Sequence, residues 1–234
     1  MKAPASLIAM FLFATIVVSG ATPAAAQPAT PTSKWVEGRN YYLILPAHAT
    51  GLPPGKVEVT EVFSYACPAC NQFQSYMRKL KQNIAPNAVI DYIPASFNTA
   101  EDWPMFQLAY VTAQSLGVAE QTHDAMFDAV WTTGELSIND ASTGGLKARM
   151  PTIEDAARFY EKRAGVPMLK FLSTSKSFPI DTQIRKDEGL IKAYGVDRTP
   201  TLVVNGKYRV VAQSAGGPDQ VIELINWLVA KESK

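Results

Sequence analysis

The sequence predicts an α/β fold in which a block of helices interrupts a framework of strands. Three observations carry that prediction. Val57 to Phe73 reads as strand, tight corner and helix in immediate succession. Residues 100–177 have helical periodicity and no strand pattern. After them come one helix, two short strands around Asn205-Gly206 and a last helix.

In chain order, Met1-Lys2 precede an apolar run from Leu7 to Val18, and small residues lead to Ala24-Ala25-Ala26. This is the layout of a secretory signal peptide cleaved after Ala26, and the run is short for a membrane span. Gln27 to Thr32 is rich in Pro, Ala and Thr, so a disordered N-terminus is expected over 27–34. Tyr41 to Leu45 reads as an edge strand, and Thr50 to Gly55 as a loop full of breakers. The central strand and motif helix end near Pro86, and Val89 to Ile93 reads as a buried parallel strand. Helices are predicted over Met105–Leu116, Ala119–Val130 and Thr152–Arg163, the last with a Thr152 cap and a Gly165 stop. A short one begins at Met168. Pro179 and Asp181 open a long helix to Tyr194, closed by Gly195. Strands Thr201–Val204 and Tyr208–Val211 form a hairpin, and Gly217-Pro218-Asp219 starts a helix that buries Val221, Leu224, Ile225 and Leu228. The expected organisation is a signal peptide at 1–26, a framework in two parts at 35–99 and 178–234, and a helical insertion at 100–177.

The chemistry lies in Val57–Phe73. Val57, Val59, Glu61, Phe63 and Tyr65 share one phase of the strand, and Pro68 suits a first helical turn. Cys67 then stands at a helix N-terminus, where unpaired N–H groups and the dipole favour a thiolate. Cys70 follows close behind on the helix. These are the only two cysteines. As a structural staple, a four-residue loop would constrain little chain. As half of a zinc site, the pair would need two more ligands, and His48 and His123 lack the usual spacing. The strand-to-helix context favours a redox pair. No cofactor or metal is expected.

Hydrophobic residues make up 47% of the 234-residue chain, enough for a substantial core. Loss of the signal peptide removes Lys2 and no acid, leaving 21 Lys and Arg against 21 Asp and Glu. That neutrality points away from nucleic acid and from anionic membrane surfaces. An exported chain whose cysteines form one close pair points to redox work in an oxidising compartment.

FSYACPAC at Phe63–Cys70, together with GVDRTPTLVVNGKY at Gly195–Tyr208, resembles the periplasmic DsbA-like thiol:disulfide oxidoreductases. The resemblance spans nearly the whole mature chain and implies a thioredoxin fold with an inserted helical subdomain. It implies that Cys67 is an exposed nucleophile and Cys70 its buried partner. Pro200 would be the family's cis-proline, with the Thr199 backbone left to pair with an extended substrate. Glu61 matches an acid the family keeps beneath the site. Independently, Glu61 sits in phase in a strand expected to be buried on both faces, where a carboxylate is costly without a task. Proton exchange with Cys70 is the functional reading; a solvated edge position is the alternative.

Three positions depart from the family pattern: Ala69 stands where the best-known members have His, Thr199 where many oxidases have Val, and Asp91 where some have a Lys paired with the buried acid. They bear on the strength of oxidation more than on the chemistry. The resemblance implies disulfide transfer to reduced or unfolded exported proteins, and reoxidation of the pair by a quinone-linked membrane partner. A periplasmic monomer is expected. A reductase or isomerase of the same superfamily, and a peptide-binding module with a structural disulfide, remain as alternatives. His123 reads as a core or surface residue, and Trp103, Trp131 and Trp227 as core or groove walls. Phe63, Tyr65 and Phe97 suit either the core or a peptide groove.

Overall fold

Seven residues of nearly unbroken burial, β2 (Val57–Phe63), form the fourth strand of a five-stranded sheet, with a neighbour on each side. The computed structural model describes residues 33–233, so the expected signal peptide and residues 27–32 of the expected disordered segment lie outside the described residues. The other strands are β1 (Tyr42–Leu43), β3 (Ala88–Pro94), β4 (Thr201–Val204) and β5 (Tyr208–Val211), and the sheet order is β1-β5-β4-β2-β3. β3 runs parallel to β2, and β4 runs antiparallel to it on the other side. Glu61 is thereby held between Tyr92 and Leu202.

The β2–β3 crossover is helix α1 (Pro68–Asn83). It buries Cys70, Phe73, Met77 and Leu80 and packs beside the last helix, α7 (Pro218–Glu232). Between β3 and β4 come α2 (Trp103–Ser115), α3 (Ala119–Trp131), α4 (Ile153–Ala164), α5 (Met168–Ser175) and α6 (Phe178–Ala193). Helix α6 returns against β3 and α2. The helical block joins the sheet through rings: Phe63 makes edge contacts with Tyr65, Tyr92, Tyr110 and His123, at centroid distances of 5.0–5.8 Å. Phe63 has no exposed surface, and truncating such a ring costs roughly 3–5 kcal/mol.

Local signals account for several element ends. Thr152 and Asp155 form a reciprocal capping box at α4, and Gly165 ends that helix in the left-handed region. Asn205 and Gly206 both have positive φ, as a two-residue hairpin with the favoured twist requires. At Gly206 a Cβ would also collide with the His48 carbonyl, so only glycine fits.

Some expectations need adjusting. The first strand keeps only Tyr42–Leu43, because Leu45 is 81% exposed and precedes a cis Pro46. β3 is parallel, as predicted, but it is the last strand of the sheet and its first half is partly exposed. Helix α2 starts two residues early, with Pro104 in its first turn, and α5 continues to Ser175.

Candidate active site

The β2–α1 corner is a four-residue turn. The Cys67 N–H donates to the Ser64 carbonyl at 3.1 Å, and the Ala66 N–H to Ser64 Oγ at 3.2 Å. Cys67 is thus the N-cap of α1, with Pro68 beginning the helix. Its Sγ accepts the Cys70 N–H at 3.4 Å. From the far side of the sequence, Thr199 brings its carbonyl oxygen to 3.7 Å from Cys67 Sγ, and the Thr199–Pro200 bond is cis. The fold therefore gathers Cys67, Cys70, Thr199 and Pro200 at one corner, with Glu61 below in β2.

Both cysteines are free thiols, and their environments drive them apart. Cys67 is pulled down from 9.0 to about 6, chiefly by its hydrogen bond with the Cys70 thiol. Burial opposes this; the Thr199 side chain and the N–H groups of Cys70 and Ala69 reinforce it. Cys70 is pushed well above 9.0 by burial first, then by Cys67 and Glu61. The Thr199 hydroxyl is buried with no hydrogen-bond partner, so it can turn toward a thiolate. Glu61 is wholly buried, and neither carboxyl oxygen has a partner. Burial lifts it from 4.5 to about 8, against the opposing charge of Lys81. At neutral pH it is mostly the protonated acid, beneath a thiol that holds its own proton tightly.

The paired strands on both sides of β2 exclude the solvated-edge alternative for Glu61. Cys67 is only 5% exposed, less open than the resemblance implies, because the Thr199 carbonyl lies against its sulfur. Lys81 is the residue that sequence reading missed. It sits four residues beyond Met77 on α1, with its Nζ 5.0 Å from the centre of the Tyr92 ring, and it supplies the cation that Asp91 cannot. The helical phase of Met77 and Lys81 was a usable signal. His123 is a core residue, 2% exposed, with Nδ1 against the Tyr65 hydroxyl. Trp131 donates to the Tyr65 carbonyl, while Phe63 and Tyr65 are core and Phe97 is 45% exposed. Among the described residues, no three His, Cys, Asp or Glu side chains gather as metal ligands would.

A groove of about 320 Å³ adjoins the corner, lined by Ala69, Phe73, Tyr76, Pro200 and Ala212 among others. A larger one of about 640 Å³ lies along β3 between Lys81 and His123, and neither cysteine lines it.

A family model described as Thioredoxin matches residues 45–225. The thiol:disulfide interchange protein DsbA of Pseudomonas aeruginosa is 35% identical over 179 residues, covering 76% of this chain and 77% of that protein. The chain belongs to the DsbA family of thiol:disulfide oxidoreductases. The DsbA of Azotobacter vinelandii is 31% identical over 82% of both chains. The crystal structure of Pseudomonas aeruginosa DsbA has a TM-score of 0.70 and 32% identity, over 86% of this chain and 96% of that one. That of Xylella fastidiosa DsbA has a TM-score of 0.71 and 28% identity, over 84% and 97%. This chain has the thioredoxin fold with the helical insertion of the DsbA family, and five helices, α2–α6, lie between β3 and β4.

Proposed function

We propose that this DsbA-family chain oxidises cysteine pairs in reduced or unfolded exported proteins, working as a periplasmic monomer through a Cys67–Cys70 disulfide. Its working framework would be residues 35–99 and 178–234, with 100–177 as the insertion. In the first step a substrate thiolate attacks Cys67 Sγ of the disulfide. The Cys67–Cys70 bond breaks, a substrate–Cys67 mixed disulfide forms, and Cys70 leaves as a thiolate. Cys70 is then protonated by Glu61. A second substrate thiolate attacks the substrate sulfur of the mixed disulfide, giving a substrate disulfide and expelling the Cys67 thiolate. Two electrons have passed to the pair, and a quinone-linked membrane partner would remove them.

The observation that carries this reading is Cys67 at the N-cap of α1, its sulfur receiving the Cys70 N–H. A stabilised thiolate is the better leaving group, so the second step runs forward. The Thr199 carbonyl beside Cys67 Sγ offers an extended substrate a backbone partner next to the attacked sulfur, and Pro200 lines the adjoining groove. Cys67→Ser should abolish oxidation of a reduced test peptide. Cys70→Ser, left without a partner sulfur, should accumulate mixed disulfides through Cys67. Labelling of Cys70 before Cys67 by an alkylating agent at mildly acidic pH would reverse the assigned roles.

A reductase or isomerase is the second reading, favoured by Ala69 and Thr199. The equilibrium of the pair against glutathione separates the two: an oxidase is recovered largely reduced at low glutathione, whereas a reductase holds its disulfide.

A further inference from the structure

The turn that delivers Cys67 is held from outside the βαβ unit. Its central carbonyl, that of Tyr65, accepts the Trp131 indole Nε1–H at 2.7 Å. The other end of the same residue is also held, with the Tyr65 hydroxyl 3.1 Å from His123 Nδ1. Trp131 and His123 both belong to α3, so one helix of the insertion grips Tyr65 by its backbone and by its side-chain tip. Tyr65 is 1% exposed and His123 2%, so water cannot replace His123 as the partner of the Tyr65 hydroxyl, while the Trp131 bond is part-buried. Burial keeps the His123 imidazole neutral, able to accept the Tyr65 hydroxyl proton.

We propose that α3 tunes the cysteine pair: Trp131 and His123 are positioning residues that hold the Ser64–Cys67 turn, and through it the Cys67 thiolate, against the N-terminus of α1. The proposal rests on the redox reading of the pair. The Tyr65–Ala66 peptide is the unit that swings when a four-residue turn changes type, and the indole donor fixes its carbonyl. The 3.4 Å bond from the Cys70 N–H to Cys67 Sγ depends on where the turn sets the sulfur, so a tilt of the turn would weaken it. In the disulfide, Cys67 is held covalently to Cys70 and depends less on that geometry. The clamp therefore favours the reduced thiolate over the disulfide, and its loss should make the pair a weaker oxidant.

Trp131→Phe removes the indole donor and keeps a ring, while Tyr65→Phe removes only the hydroxyl. For both variants and the wild type, the measurements are Cys67 thiolate absorbance against pH, equilibrium with glutathione at pH 7, and urea melts of each redox form. Trp131→Phe should raise the Cys67 pKa and shift the equilibrium roughly fivefold toward the disulfide, the worth of one ordinary hydrogen bond. Tyr65→Phe should shift both in the same direction by less. Equal loss of stability in the two redox forms, with pKa and equilibrium unmoved, would make these residues ordinary packing and overturn the proposal. Should Trp131→Phe not fold, Tyr65→Phe decides by the same criteria. A wild-type pair that never equilibrates with glutathione would overturn the redox reading itself, a failure distinct from that of the clamp.

Discussion

Glu61→Gln should make the protein more stable and slower at once. Glu61 has no exposed surface, its carboxyl oxygens have no partner, and burial lifts it from 4.5 to about 8. A raised value in the folded state gives stability that is fully present below pH 4.5 and is lost as pH rises through about 8. At pH 7 the unfolded chain has gained ionisation over about 2.5 pH units that the folded protein forgoes. At about 1.4 kcal/mol per unit, this costs about 3 kcal/mol of stability. Gln has nearly the same shape and no proton to lose. Urea melts of the reduced protein should show Glu61→Gln about 3 kcal/mol ahead at pH 7, with the gap closing toward pH 4.5. The amide cannot protonate the departing Cys70 thiolate, so stopped-flow reduction by a substrate peptide should slow by about 10²-fold, the low end for a lost general acid. A stability gap that does not change with pH would mean that the carboxyl is not held as the acid. A full reduction rate would remove Glu61 from proton transfer.

The two redox forms should be nearly balanced at pH 7. Lowering Cys67 to about 6 stabilises the reduced form by about 1 kcal/mol there, an effect present above pH 9 and lost as pH falls through 6. Closing the four-residue loop stabilises the oxidised form by about 2 kcal/mol. Urea melts should therefore agree within about 1 kcal/mol at pH 7, and the oxidised form should pull ahead at pH 4.5. A reduced form trailing by several kcal/mol at pH 7 would favour the reductase reading. Asp187, 4% exposed, is lifted by burial from 3.8 to about 6 while accepting the Gln183 Nε2–H at 2.7 Å. Its stability contribution is present below pH 3.8 and lost through 6, so Asp187→Asn, which keeps the acceptor, should gain about 3 kcal/mol at pH 7 and almost nothing at pH 3.5. No change at pH 7 would mean that the carboxylate is solvated. Gly206→Ala should cost about 2–4 kcal/mol, because it strains a positive φ and meets the His48 carbonyl; thermal unfolding would show it, and an unchanged Tm would contradict the packing described.

Much of this protein was legible in its sequence because the signals were local. The hairpin at Asn205-Gly206, the Thr152 cap and the Gly165 stop were written in neighbouring residues, and they depend on backbone angles that those residues alone prefer. Cys67 at a helix N-terminus followed from strand phase and Pro68. The period-2 phase also marked Glu61 for burial, since it shares a face with Val57, Val59 and Phe63. What the sequence could not determine was set by residues far apart along the chain. The edge position of β3 depends on where β4 inserts, more than a hundred residues later. Lys81 acts on Glu61 because α1 brings its ammonium over the Tyr92 ring of β3, and Thr199 shields Cys67 because β4 pairs with β2. The grip of α3 on Tyr65 spans 66 residues between the Trp131 indole and the Tyr65 carbonyl. A buried donor or acceptor must find a partner, but sequence spacing does not say which one, because that choice is made only when the insertion packs on the sheet.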